Sequence, residues 1–232
     1  VTIRLENLIH GYENIAQDEA PVVDIVEWEI QPGEHILLRG VSGSGKTTLF
    51  NIMTGLLLPA SGTVWYDKTS LYSLAEAARD RFRARNIGYI FQNHFLLNTM
   101  TAIENVEMPM AAARVIPSAK WKKRAEELLA KVGLEHRIHY YPDQLSSGQR
   151  MRVAVARSLA NYPNIVFADE PTASLDDIAS ETVMDLIQAT CREKNAILIV
   201  ASHDPTLIHR FQKIVNLRNG QLSHSKVSAH DV

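Results

Sequence analysis

Short apolar runs bounded by turn residues alternate along this chain with stretches whose apolar positions recur at helical spacing. Residues 35–39, 87–91, 165–169, 197–202 and 214–217 are strand-sized runs, several of them apolar on both faces. Such strands belong inside a parallel sheet covered by helices. Ala179, Val183, Leu186, Ile187 and Thr190 predict one face of a helix starting near Asp177. The opening Val1-Thr2-Ile3-Arg4-Leu5 alternates, and 22–30 and 62–66 read as antiparallel strands toward the N-terminal side.

The middle differs. From about 101 to 160 the pattern is helical, with breaks expected at Pro109, Pro117, Gly133 and Pro142. The pattern predicts an α/β chain: a core formed by 1–92 and 159–232, an antiparallel β-layer on its N-terminal side, and an inserted α-helical subdomain over 93–158. No internal repeat or low-complexity stretch interrupts it, and the polar residues 223–232 are expected to form a loose tail.

Composition narrows the partners. Hydrophobic residues at 46% and charged residues at 22% suit a soluble globular protein, and no run is long enough to span a bilayer. No basic segment leads into an apolar one at the N-terminus, so no signal peptide is expected. Any membrane connection is expected to run through a partner. A formal net charge of −2 argues against a binder of nucleic acid, which requires a basic face. The single cysteine, Cys191, leaves no internal disulfide and suits a reducing compartment.

Candidate chemistry begins at Gly40-Val41-Ser42-Gly43-Ser44-Gly45-Lys46-Thr47, a complete G-x-x-x-x-G-K-[ST] loop between the strand 35–39 and a helix opening at Thr48. Glycines let the backbone curl so that its N–H groups face phosphate oxygens, and the helix N-terminus adds favourable potential. Lys46 reaches the β- and γ-phosphates, and the Thr47 hydroxyl suits Mg²⁺. A chance glycine turn before a lysine would lack the flanking strand and helix. The buried run Ile165-Val166-Phe167-Ala168 delivers Asp169 to the Mg²⁺ shell and Glu170 beside it, where a carboxylate accepts a proton from attacking water. These features predict a P-loop NTPase with a RecA-like parallel-sheet core.

Between the two motifs lies Leu145-Ser146-Ser147-Gly148-Gln149-Arg150, followed by the helical run 151–159. It resembles the signature motif of ABC ATPases and the helix behind it. The other elements of that family fall in order: Tyr12 resembles the aromatic that stacks on adenine, Gln92 the Q-loop glutamine, Ser174-Leu175-Asp176 the D-loop, and His203 the switch histidine. The resemblance covers essentially the whole chain. It implies an ATP-binding and ATP-hydrolysing subunit of an ABC transporter, cytoplasmic and peripheral on the inner face of the membrane, serving an integral membrane subunit. It further implies a homodimer around two ATP molecules with Mg²⁺ held by Thr47, Gln92 and Asp169. Gly40, Ser42, Gly43, Ser44, Gly45, Lys46, Thr47, Thr48, Asp169, Gln149 and Asp176 would hold the nucleotide, and Ser146 and Gly148 would complete the site across the interface. Glu170, Gln92 and His203 would act in hydrolysis. Ser147 stands where the family has the first of two consecutive glycines, so closure of the dimer is expected to be slower or of altered affinity, with hydrolysis retained.

Within the family, 91–97 and 101–110 are similar to the branch of lipoprotein-releasing, macrolide-exporting, peptide-exporting and cell-division ATPases; antimicrobial-peptide-resistance and haem-export relatives look much alike. A regulatory ATPase that transmits force without transport is the alternative. A GTPase would carry an Asn-Lys-x-Asp guanine-reading motif, which is absent, and a nucleotide kinase would not need the signature motif.

Other features carry two readings. Tyr12 is either a strand-end aromatic or the adenine platform. Ser202-His203-Asp204 suggests a hydrolytic triad, but neighbours on an extended segment point apart. His136 and His139 with Glu135 lack further ligands for zinc. Arg79, Arg81, Arg83 and Arg85, and the denser Lys120, Lys122, Lys123 and Arg124, are expected to be solvated, with contact to anionic lipid or a partner as the alternative. Phe95, Leu96, Leu97, Met108 and Met110 are either core or a socket for another protein's helix.

Overall fold

The elements run in chain order as β1 (Ile3–His10), β2 (Val23–Ile30), β3 (His35–Arg39), α1 (Lys46–Met53), β4 (Ser61–Tyr66), β5 (Thr69–Ser70), α2 (Glu76–Asn86) and β6 (Ile87–Ile90), then α3 (Ala102–Ala113), α4 (Trp121–Lys131), α5 (Ser147–Ser158), β7 (Ile165–Asp169), α6 (Asp177–Lys194), β8 (Ile197–Ala201), β9 (Lys213–Arg218) and β10 (Gln221–Ser225). The computed structural model describes residues 1–11 and 20–225. The chain divides into two compact units, 1–79 with 197–232, and 80–196.

In the first unit, β2-β1-β4-β5 form an antiparallel sheet, with Ile3 opposite Ile30 and Leu5 opposite Trp28. Burial alternates along β1 through Ile3 and Leu5, then shifts parity to Leu8 and His10. The shift falls at Asn7, whose φ of 48° marks the irregularity in the β1–β4 pairing. A second sheet places β3 in parallel between β8 and β9, and Ile36, Leu37 and Leu38 are fully buried there. That burial on both faces is why β3 reads as an unbroken apolar run. The tail expected from residue 223 instead begins as strand: β10 pairs antiparallel with β9 through Ser225, across a turn in which Asn219 and Gly220 have φ of 51° and 77°. Asn-Gly favours a tight hairpin turn, and the hairpin carries the polar residues into the sheet.

The C-terminal end of α1 is fixed from the β-layer side. Tyr66 Oη donates to Met53 O at 2.5 Å, and Tyr72 Oη to Ile52 O at 2.5 Å, both in the last helical turn, and to Leu57 O beyond the helix at 3.0 Å. Burial pushes both phenols well above their ordinary range, so both remain donors.

In the second unit β6 and β7 pair in parallel, Gly88 opposite Val166. A Cβ on Gly88 would collide with Ser158 O, so only glycine lets the end of α5 lie against β6. Thr101 and Glu104 cap α3 reciprocally, and Gly133, at φ 69°, ends α4. Pro109, expected to break the helix, lies inside α3. Burial of Ile103, Val106 and Met110 along one stripe and the Asn161 Nδ2 bond to Pro109 O at 2.8 Å offset the lost backbone bond. On α6 the buried stripe is Val183, Met184, Ile187, Gln188 and Cys191; Leu186 and Thr190 are only half-buried, so the packed face is rotated from the predicted one. Burial raises the Cys191 thiol to about 12, leaving it unreactive at neutral pH.

Candidate functional site

In the first unit the loop Gly40–Thr47 turns from β3 into α1 on a backbone that leaves no room for a side chain at positions 40 and 45. Gly43 and Gly45 have φ of 78° and 96°, and Gly45 stands at the N-cap of α1. A Cβ on Gly45 would lie 2.7 Å from Val22 O, and one on Gly40 would lie 2.7 Å from Leu217 O besides colliding with Ser44 Oγ. Gly43 is the exception, since nothing lies within 4 Å of its added Cβ. The loop thus has a packed rear wall and an open tip.

Lys46 is buried, and its Nζ donates to Gly40 O at 2.7 Å and Val41 O at 3.1 Å. The ammonium therefore closes the loop into a ring from within. Ser44 Oγ is buried without a hydrogen-bond partner among the described residues. Thr47 is exposed on the first turn of α1, and Thr48 is buried beneath it. The outer side of the loop borders a cavity of about 800 Å³ whose lining includes Pro21, Val22, Ser42, Gly43 and Asn216. His203 follows β8 as an exposed residue. The Ser-His-Asp reading fails as expected: Asp204 Oδ1 accepts from Thr206 N at 2.8 Å and Thr206 Oγ1 at 2.7 Å, which commits it to a local turn.

The second unit collects Gln92, Ser146, Gly148, Gln149, Asp169, Glu170 and Asp176. Asp169 ends β7 and Glu170 follows it, with 3% and 7% of their surface exposed. Glu170 has φ 49°, an uncommon conformation for a side chain that is neither glycine nor asparagine. Burial raises the neighbouring Tyr89 phenol first, and the Asp169 charge raises it further.

Ser146 and Gln149 cap α5: Ser146 Oγ accepts from Gln149 N at 3.2 Å, and Gln149 Oε1 accepts from Ser146 N at 3.0 Å. Ser147 is exposed at the first helical position. A Cβ on Gly148 would lie 3.0 Å from Ser174 O and 3.2 Å from Leu175 Cδ2, so glycine permits the signature segment and the segment after Glu170 to touch. Asp176 Oδ1 accepts from Ala179 N at 2.8 Å as the N-cap of α6. Signature and D-loop residues are therefore joined within one chain. Tyr12 lies outside the described residues.

Two expectations change and a third, for the arginines of 79–85, holds. Met110 is fully buried and belongs to the core, whereas Phe95 and Leu97 are 61% and 41% exposed. Arg124 is buried rather than solvated: its Nη2 donates to Leu159 O at 3.0 Å and its guanidinium lies 3.9 Å from the Tyr162 ring centroid. The arginines of 79–85 fall on α2, which buries none of its residues. Two residues that the sequence reading passed over hold the segment after Gln92. Asn105 is fully buried, accepts from Leu97 N at 2.8 Å, and donates to Leu97 O, Met100 O and Thr101 O at 3.0–3.1 Å. Arg157 donates to His94 O and Phe95 O at 2.5 Å each. Their signal was a polar residue on the apolar stripe of α3 and a lone arginine inside the run 153–159.

The loop and its setting define the class as a P-loop nucleoside triphosphatase. Comparison with known proteins gives the family. The model described as "ABC transporter" matches residues 23–173. The lipoprotein-releasing system ATP-binding protein LolD of Pseudomonas syringae pv. tomato is 39% identical over 93% of this chain and 94% of its own. The macrolide export ATP-binding/permease protein MacB of Syntrophobacter fumaroxidans is 37% identical over 99% of this chain, which spans 32% of that longer protein. A solved dimeric, post-hydrolysis structure of the ATP-binding cassette MJ0796 bound to ADP and Pi superimposes with a TM-score of 0.91 at 32% identity, covering 98% of this chain and 99% of that one. The chain belongs to the ABC transporter family, as an ATP-binding and ATP-hydrolysing subunit near the branch of lipoprotein-releasing and macrolide-export proteins. Among the described residues no helix is long and apolar enough to cross a membrane.

Proposed function

We propose that two copies of this chain enclose two ATP molecules and that closure and reopening drive extrusion of a lipoprotein, peptide or drug by a separate membrane subunit. Each copy is peripheral on the inner face of the membrane, 93–158 acting as the helical subdomain that carries the signature. The observation that carries this reading is the phosphate loop: a glycine wall that a single Cβ would fill, closed by the buried ammonium of Lys46. Lys46 exchanges its loop carbonyls for the β- and γ-phosphates, and the orphaned Ser44 Oγ gains a phosphate oxygen as partner. The dimeric cassettes among its structural relatives support the two-copy arrangement.

The residues proposed around the γ-phosphate suit Mg²⁺, because a hydroxyl, a carboxylate and a carboxamide are all hard oxygen donors: Thr47, Asp169 and Gln92. When bound, the ion neutralises phosphate charge. Glu170, fixed beside Asp169, accepts the proton of the attacking water as the bond between the γ-phosphorus and the bridging oxygen breaks, releasing ADP and phosphate. His203 and Gln92 contact the γ-phosphate side, and Tyr12 stacks on adenine. Ser146, Gly148 and Gln149 of one copy, at the positive end of α5, close on the γ-phosphate held by the other. Asp176 holds the joining segment.

Lys46→Ala tests the reading. Calorimetric titration with ATP and a phosphate-release assay are expected to show binding and turnover nearly abolished, since no other cation in the loop replaces that charge. Near-native turnover would reject the phosphate-site assignment.

A further inference from the structure

Between Phe91 and Thr101 the chain has no helix or strand, yet it is held at two places. Near its C-terminal end Asn105 binds Leu97, Met100 and Thr101, as described above. Near Gln92 the conformation is costlier. His94 and Phe95 are consecutive left-handed residues, with φ of 61° and 47°. Each costs roughly 1–2 kcal/mol for a side chain bearing a Cβ. The opposing force is Arg157, whose fork reaches the carbonyls of both strained residues.

Arg157 is itself expensive. Its surface is only 9% exposed, burial lowers it to about 10, and among the described residues no carboxylate is paired with it. A buried guanidinium committed to two backbone carbonyls is a poor device for stability alone, because an apolar side chain of similar volume would avoid the desolvation. What it supplies is geometry. Two parallel N–H groups in a rigid fork fix two successive carbonyls, and so fix the chain direction two residues beyond Gln92. The same helix, α5, carries Ser146 and Gly148 at its other end.

We propose that Arg157 is a positioning residue for ATP hydrolysis. It holds the left-handed pair His94–Phe95, so that Gln92 is presented in one geometry referenced to the signature helix. This rests on the reading of Gln92 as a residue of the hydrolytic site. Arg157 touches no substrate; it acts through the backbone.

The test uses the full chain carrying Arg157→Met, Arg157→Lys or Gln92→Ala. Steady-state ATPase kinetics, thermal melting and amide hydrogen exchange over 92–97 are the readouts. For Arg157→Met, exchange at 94–97 is expected to accelerate tenfold or more and kcat to fall about tenfold, with KM for ATP within about twofold. Arg157→Lys keeps the charge but not the fork, so it is expected to fall between wild type and methionine on both readouts. Should the methionine variant not fold, the lysine variant decides by the same split at smaller size. Unchanged exchange or unchanged kcat would overturn the proposal. So would a loss of activity that only tracks the fraction of folded protein. Gln92→Ala separates the two levels: native turnover there would reject the role of Gln92 itself. A slow Gln92→Ala beside an unaffected Arg157→Met would reject only the positioning role.

Discussion

The phosphate loop and the segment after Gln92 solve the same problem, holding irregular backbone in one shape, by opposite means. The loop is held by what is missing: glycines at 40 and 45 let Leu217 O and Val22 O approach to where side chains would be. The segment after Gln92 keeps its side chains and is held by polar anchors, Asn105 from the helix that follows it and Arg157 from a helix far along the chain. A structure built on absent atoms tolerates no addition. One built on anchors loses its order by degrees.

The largest predicted effect breaks the first half of that contrast. Gly40→Ala puts a methyl against backbone at Leu217 O and is expected to weaken ATP binding about a hundredfold or more, measured by calorimetric titration. Gly43→Ala, in the same loop, meets open space and is left with only its left-handed φ, a cost of about 1–2 kcal/mol. Equal losses at 40 and 43 would show that packing of the rear wall is not what matters.

On the anchored side Asn105→Ala removes four hydrogen bonds from a fully buried site and is expected to lower stability by about 2–4 kcal/mol in denaturant melts, with ATP affinity unchanged. A matching loss of ATP affinity would mean that the two regions are not built separately.

This contrast also explains what was legible in the sequence. The phosphate loop, β3 and β7 were readable because their constraints are local: glycines at fixed spacing and runs apolar on both faces. Asp177 was readable as the start of α6 because a capping aspartate precedes it. The arginine anchors are not local. Nothing near Arg157 in the chain indicates that its partners are His94 and Phe95, and nothing near Arg124 indicates that it reaches the carbonyl of Leu159. Pro109 misled because a propensity rule yields when a buried stripe continues across it. The rotated face of α6 reflects the same limit, since Gln188 passes for a surface residue until its burial is seen. Signature residues were named from resemblance, but the second use of Ser146 and Gln149 as the cap of α5 appears only in the structure.

A smaller effect sharpens the anchored half. His94 is held below its ordinary range, by burial first and then by the charges of Arg150 and Arg157. Its folded form thus resists protonation while the unfolded chain takes up a proton near pH 6.5. Stability is full above that value and falls as pH drops below it, toward the lowered folded value. Amide exchange at 94–97 is expected to quicken across that window, and His94→Gln to flatten the profile. A profile unchanged by His94→Gln would place the titrating group elsewhere.

The central claim, that each site is completed by a second copy, is tested most directly by light scattering of Glu170→Gln. The substitution keeps shape and hydrogen bonding but removes the proton acceptor, so ATP stays trapped between Lys46 of one copy and Ser146 and Gly148 of the other. With Mg-ATP the variant is expected to run as a dimer, and with Mg-ADP or no nucleotide as a monomer. Adding Ser146→Arg, which puts bulk and charge at the N-terminus of α5, is expected to abolish the dimer. The titration extends to high protein concentration, because Ser147 adds a side chain where closure occurs. A strictly monomeric variant under saturating ATP across that range would contradict the account.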